Sequence, residues 1–234
     1  MGKKKKYSLD TNVIRYQAAP SIPVAKQTEK NKEQVRLKKA TTLFWAKLFQ
    51  ELTNNQAEII LTNEVLRELE IQITTLSNKD SKNVKKVLQT LKMKMGMSNL
   101  NYQDALLSPA NTTLQAEHHY RELAAYIQNS YKQALVGNDA FKYPAVSDAR
   151  IQLESWSGSY TLVTANVKEF ILYPLLFEYP ECNEKLYDLK SSKFKIFKES
   201  TVKTVQADNI YKGYIQKIQD ALNNVTPGPD ILAE

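Results

Sequence analysis

The chain has 234 residues, of which 42% are hydrophobic and 24% charged, so it suits one globular domain with elaborations rather than a disordered chain. No apolar run approaches the ~18 to 20 residues that a membrane helix needs, and the basic start leads into no apolar stretch, which argues against a membrane span and a secretory signal. A single cysteine, Cys182, excludes an intrachain disulfide and favours a cytoplasmic protein. The net charge of +7 favours a polyanionic partner, but a basic soluble protein explains it equally well.

Hydrophobic periodicity predicts strands that alternate with helices. In chain order the predicted elements are a strand at 6–9, helices at 11–17 and 30–52, a strand at 58–62, helices at 63–75, 79–95, 114–135 and 144–156, a strand at 160–164 and a terminal helix at 209–222. Turn residues at Thr53–Asn55, a loop at Gly137–Asp139 and a loose tail at Thr226–Asp230 interrupt them. Such alternation is typical of an α/β fold in which helices cover both faces of a parallel sheet.

Polar residues follow the ends of the predicted strands. Asp10 ends the first strand, Thr62 ends the second, and Thr164 and Asn166 follow the third. In parallel α/β sheets, ligands bind beyond the carboxyl ends of the strands. We therefore expect these polar residues to meet at one rim of the sheet.

The segment Asp10-Thr11-Asn12 has two interpretations. Asp10 directs a carboxylate into the rim, where Asn12 orients it, or Asp10 is the N-cap of the following helix. Aspartate, threonine and asparagine are all good capping residues, so this segment alone does not decide between the two.

Glu64 and Glu68 lie four residues apart and share one face of the predicted helix. Glu64 falls in the first turn, where a carboxylate complements the helix dipole. Glu68 lies between Leu66 and Leu69, beside the apolar stripe, where a carboxylate needs a partner or a metal. We therefore prefer Glu68 as the site residue, with a solvated glutamate next to Arg67 as the alternative.

Two later segments carry further candidates. Asp148 falls in the first turn of a predicted helix, where capping is the alternative to a role in the site. Thr164 and Asn166 offer oxygen atoms after the third strand, and Glu169 can lend a carboxylate.

Taken together, the order and spacing of these segments resemble the PIN domain family. The matching stretches are Leu9–Ile14, Thr62–Leu69, Ser147–Ile151 and Val163–Phe170. The resemblance extends to about Phe170. It implies a ribonuclease that depends on Mg²⁺ or Mn²⁺, often the toxin of a VapC-type toxin–antitoxin pair.

By position, the resemblance implies that Asp10, Glu68 and Asp148 form the family's acidic triad and hold the metal. The fourth acidic position falls on Asn166, an uncharged amide that departs from the family's pattern, and Glu169 is a candidate to compensate. Asn166 and Thr11 are then expected to orient the attacking water and the scissile phosphate.

The predicted architecture is a three-layer PIN-like α/β domain at 1–175, with a helical insertion at about 76–140 and a C-terminal extension at 176–234. The expected partners are RNA, an antitoxin protein and a second copy of the chain. Lysines of the insertion between Lys79 and Lys94 offer an RNA-facing surface or a solvated helix face. His118 and His119 are interpreted as surface residues.

Two other functions remain open on sequence grounds. Asn166 favours a non-catalytic RNA-binding module that has kept the fold and lost full metal chemistry. A phosphotransfer enzyme with Asp10 as nucleophile is the second, but the aspartate that such enzymes usually show two residues later is absent, and no Gly-x-x-x-x-Gly-Lys loop occurs.

Overall fold

A computed structural model of the chain describes residues 4–95, 114–136 and 141–223. The strands of its sheet are β1 (Lys5–Leu9), β2 (Ala57–Ile60), β3 (Thr161–Thr164), β4 (Leu186–Asp188) and β5 (Lys193–Phe194). They lie in the order β2-β1-β3-β4-β5. All neighbours are parallel except β4 and β5, which are antiparallel.

Helices make up most of the rest of the described chain. They are α1 (Thr11–Ala18), α2 (Lys32–Thr53), α3 (Asn63–Thr75), α4 (Asn78–Met95), α5 (Leu114–Val136), α6 (Val146–Ser157), α7 (Val167–Phe170), α8 (Glu199–Ala207) and α9 (Asn209–Asn223). Single 3-10 turns lie at Val24–Lys26, Glu29–Asn31, Tyr173–Leu176 and Glu181–Glu184. None of the helices in the described ranges is long and apolar enough to cross a membrane.

The predicted α/β class is confirmed, and each predicted strand and helix is present with its ends shifted by a few residues. Asn55 adopts a left-handed φ of 56° in the predicted turn, a conformation that asparagine tolerates. Ala145 is the N-cap of α6, and the Asp148 carboxylate accepts its backbone N–H at 3.1 Å in the first turn of the helix. The predicted loop at 137–139 and tail at 226–230 lie outside the described residues.

The segment beyond residue 175 adds β4, β5 and α8, none of which the sequence pattern predicted. β4 has three residues and β5 has two, which is too short for a period of two to be recognised. The segment expected as a C-terminal extension therefore contributes two strands to the sheet.

Helices cover both faces of the sheet, as the alternation of side chains along β1 demonstrates. The Tyr7 ring packs edge-on against Phe44 of α2, with ring centroids 6.1 Å apart. Ser8 points the other way, and its hydroxyl oxygen accepts a hydrogen bond of 2.7 Å from Ser155 of α6. The sheet thus lies between α2 and α6, with buried β3 residues such as Leu162 at its centre.

Thr62 is the N-cap of α3, and its hydroxyl oxygen accepts the Val65 N–H at 3.3 Å. Because Thr62 is buried, Thr62→Ala leaves that N–H without its partner, and we expect a loss of about 1 kcal/mol in the free energy of unfolding. Thr62→Ser keeps the hydroxyl and is the control. Urea denaturation of the two variants measures the difference, and equal stabilities would contradict the role of the cap.

Candidate functional site

The topology creates a crevice between the carboxyl ends of β1 and β3. From β1 the chain continues to its neighbour β2. From β3 it continues to β4, which lies in the opposite direction along the strand order. Ligands of open α/β sheets bind at such a switch point. Asp10 follows β1 directly, and Thr164 and Asn166 lie at the end of β3, so all three border the crevice.

Asp10 is oriented by two side-chain donors and is only 3% exposed. Its Oδ2 accepts a 2.7 Å hydrogen bond from the Thr164 hydroxyl and a 3.3 Å hydrogen bond from the Asn12 amide. It occupies the N-cap position of α1, but its carboxylate makes no capping hydrogen bond. Of the two interpretations of this segment, the geometry favours the carboxylate in the rim, with Asn12 as its orienting residue.

The protein disfavours negative charge on Asp10. Burial, together with the nearby negative charges of Asp148 and Glu68, raises the pKa of Asp10 to about 7, although the hydrogen bond from Thr164 opposes the rise. Asp10 therefore lies within electrostatic range of Asp148 and Glu68, the other two residues of the predicted acidic triad, although the three residues are widely separated in the sequence.

Glu68 and Glu64 have different partners despite sharing a face of α3. The hydroxyl of Thr11 donates a short hydrogen bond to Glu68 Oε2. Glu64 is buried and instead pairs with Arg150 at 3.4 Å and with Arg67 at 3.9 Å. The charge of Glu64 is therefore balanced by arginines, whereas Glu68 meets only a neutral hydroxyl in these contacts. This arrangement supports the preference for Glu68 as the site residue.

Asp148 both caps α6 and belongs to the acidic group. Its Oδ2 accepts the Ala145 N–H, as described above. Partial burial and the negative charges of Glu169 and Glu68 together raise the pKa of Asp148 to about 6, although the Ala145 N–H opposes the rise. The capping alternative and the site role are therefore compatible for this residue.

Glu169 supplies a fourth carboxylate, beside the position where the sequence has an amide. The Asn166 side chain donates a short hydrogen bond to Glu169 Oε2, and its backbone N–H bonds the Thr164 hydroxyl at 2.9 Å. The ammonium of Lys142 contacts Glu169 Oε1. Glu169 is only 8% exposed, and these contacts place its carboxylate within electrostatic range of Asp148.

The sequence reasoning missed Lys142, and no local pattern marks it. Its backbone N–H bonds the Lys168 carbonyl at 3.0 Å, which fixes the segment before α6 against α7. That tertiary contact brings Lys142 next to Glu169, although 27 positions separate the two in the chain.

The donor chemistry of the crevice fits a divalent cation. Mg²⁺ and Mn²⁺ prefer carboxylate, amide and hydroxyl oxygens, which are the groups present here. Burial and neighbouring negative charges raise the pKa values of Asp10 and Asp148, so a bound cation would offset the cost of ionising them. In the ranges that the structure describes, no three His, Cys, Asp or Glu side chains already converge closely enough to hold one ion.

The remaining candidates from the sequence lie elsewhere. His118 and His119 lie on α5 and both approach Glu122, at 3.5 and 3.1 Å. Cys182 is buried as a free thiol. On α4 four lysines are exposed, namely Lys79, Lys82, Lys85 and Lys86. The side chains of Lys92 and Lys94 lie outside the described part of the chain.

Comparisons with protein families, with curated proteins and with solved structures found no match to this chain.

Proposed function

We propose that this protein is a metal-dependent endoribonuclease with a PIN-like fold. The observation that carries the proposal is that four carboxylates, from α3, α6, α7 and the end of β1, each lie within electrostatic range of at least one other near the switch point of a parallel sheet. Burial and the negative charges of neighbouring carboxylates raise the pKa of Asp10 and of Asp148. Carboxylates that repel one another in a crevice are typical of functional sites.

In the proposal, Asp10, Glu68 and Asp148 hold Mg²⁺ or Mn²⁺, and Glu169 compensates for the amide at Asn166. Such an ion lowers the pKa of a coordinated water and offsets the charge that develops on the phosphate. Contacts within the chain fix two of the carboxylates beforehand: Thr164 and Asn12 orient Asp10, and Thr11 orients Glu68.

With a divalent cation bound, the site would present two cationic groups to an anionic substrate, the metal and Lys142. Lys142 is largely exposed where it pairs with Glu169, so its ammonium is accessible to a phosphate group at the edge of the crevice. The net charge of +7 and the exposed lysines of α4 favour approach of a polyanion. The choice of RNA rests on the PIN resemblance. A toxin role in the cytoplasm, with an antitoxin partner and a homodimer, rests on the same resemblance and belongs to the proposal.

The test is cleavage of a total cellular RNA pool with Mg²⁺, Mn²⁺ or chelator. We expect cutting that requires metal and that Asp148→Asn reduces by more than the roughly 10- to 100-fold typical of residues that only position a metal ligand. Asp80→Asn is the matched control, because Asp80 is an exposed carboxylate on α4 whose partner is the Ser77 hydroxyl, from which it accepts a hydrogen bond of 2.7 Å. We expect it to cleave normally.

RNA that binds equally well in chelator and is never cut would contradict the nuclease and favour the non-catalytic binding module. Cutting that is equal in Asp148→Asn and in the unsubstituted protein would contradict the assigned site.

A further inference from the structure

A buried polar pair connects the helical insertion to the segments that carry two of the candidate carboxylates. Tyr120 of α5 and Gln152 of α6 are both 0% exposed. The Tyr120 hydroxyl donates a hydrogen bond of 2.6 Å to Gln152 Oε1. Buried polar side chains almost always have hydrogen-bond partners, so the amide nitrogen of Gln152 should also have an acceptor.

The other end of the Gln152 amide contacts two backbone carbonyls. Its Nε2 donates to the Asp148 carbonyl at 3.0 Å and to the Glu169 carbonyl at 3.3 Å. Since carbonyls only accept, the amide nitrogen must face them and the amide oxygen must face Tyr120. The orientation of the Gln152 amide is therefore determined by its partners: its oxygen accepts from the Tyr120 hydroxyl, and its nitrogen donates to the two carbonyls.

We propose that Tyr120 and Gln152 are positioning residues that set the spacing of Asp148 and Glu169. The assignment rests on the metal-dependent function proposed above. The Gln152 amide connects the first turn of α6 to α7, two segments that no strand pairing connects directly. Tyr120, which belongs to the helical insertion, donates a hydrogen bond to that amide. Helix α5 is thereby part of the support of the site.

Two variants separate positioning from ordinary packing. Gln152→Met removes both amide donors and leaves the Tyr120 hydroxyl buried without its acceptor, which we expect to weaken both the fold and Mn²⁺ binding. The double variant Tyr120→Phe/Gln152→Met also removes the hydroxyl that Gln152→Met leaves buried and unpaired, so it should be more stable than the single variant. We expect the double variant to regain stability and to bind Mn²⁺ on the order of 10-fold more weakly than the unsubstituted protein.

The measurements are Mn²⁺ affinity, by electron paramagnetic resonance of the free ion, and unfolding in urea without metal. Tyr131→Phe is the control, because Tyr131 lies on the same helix and donates a 2.6 Å hydrogen bond to Asp208, a carboxylate outside the acidic group. We expect its Mn²⁺ affinity to be unchanged.

Normal Mn²⁺ affinity in the double variant would overturn the positioning role while leaving the proposed function intact. Affinity that recovers together with stability would also overturn it, since packing alone would then explain both. If the unsubstituted protein and Asp148→Asn bind Mn²⁺ equally weakly, the metal site fails and the positioning role fails with it.

Discussion

Asp10→Asn is expected to abolish RNA cleavage and, in the absence of metal, to stabilise the fold. Asparagine can still accept the hydrogen bond from Thr164, but it removes a buried negative charge that faces Asp148 and Glu68. It also removes a charged ligand from the proposed metal centre. Activity and stability therefore change in opposite directions, which a substitution that simply damages the fold would not produce.

The stabilisation by Asp10→Asn depends on pH, and its sign follows from the raised pKa of Asp10. Because this pKa is about 7 in the folded protein and 3.8 without its surroundings, the folded state keeps a proton that the unfolded chain has lost between about pH 4 and 7. The contribution of Asp10 to stability is thus fully present below pH 4 and is lost as the pH rises to 7. At about 1.4 kcal/mol per pKa unit, the loss is on the order of a few kcal/mol.

Urea denaturation of the metal-free protein and of Asp10→Asn, from pH 4 to pH 8, measures this difference. We expect the advantage of the variant to grow over that range and to become constant above about pH 7. Addition of Mn²⁺ should stabilise only the unsubstituted protein. A constant difference at all pH values, or cleavage retained by the variant, would contradict the assignment of Asp10.

Arg150→Met is expected to lower the free energy of unfolding by about 3 kcal/mol. It removes the cation that two buried carboxylates share and leaves each with only one arginine, Arg67 or Arg121, that is more exposed than Arg150. The Arg150 guanidinium reaches Glu64 of α3 at 3.4 Å and Glu117 of α5 at 3.3 Å, and both glutamates are buried. Arg150 thus joins α3, α5 and α6. Since α3 and α6 carry Glu68 and Asp148, the same variant should also weaken Mn²⁺ binding.

Arg67→Met is the matched control for the arginine. Arg67 is half exposed and approaches the same Glu64 only to 3.9 Å, so its removal should cost no more than about 1 kcal/mol. Urea denaturation of both variants gives the comparison. If both variants lost the same small amount of free energy of unfolding, solvent would screen the ion pairs of Arg150 as it screens a surface ion pair, and the prediction for Arg150→Met would be wrong.

The candidate site could be located from the sequence because its residues mark strand ends and helix starts. Asp10 follows an apolar strand, and Thr62 begins an amphipathic helix, so local periodicity places both. Only the tertiary structure distinguishes capping from a role in the site. The Asp10 carboxylate makes no capping hydrogen bond, whereas the Asp148 carboxylate accepts the Ala145 N–H and also interacts electrostatically with Glu169.

The sequence by itself determined the α/β class, the helices and longer strands, and the order in which polar residues reach one rim, because apolar spacing and turn residues are local signals. Only the tertiary structure decided the sheet order, the addition of β4 and β5, and the partners Lys142, Arg150 and Gln152. The physical reason is that these partners are selected by contact between distant segments. A lysine, an arginine or a glutamine carries no local signal of which carboxylate or carbonyl it will meet.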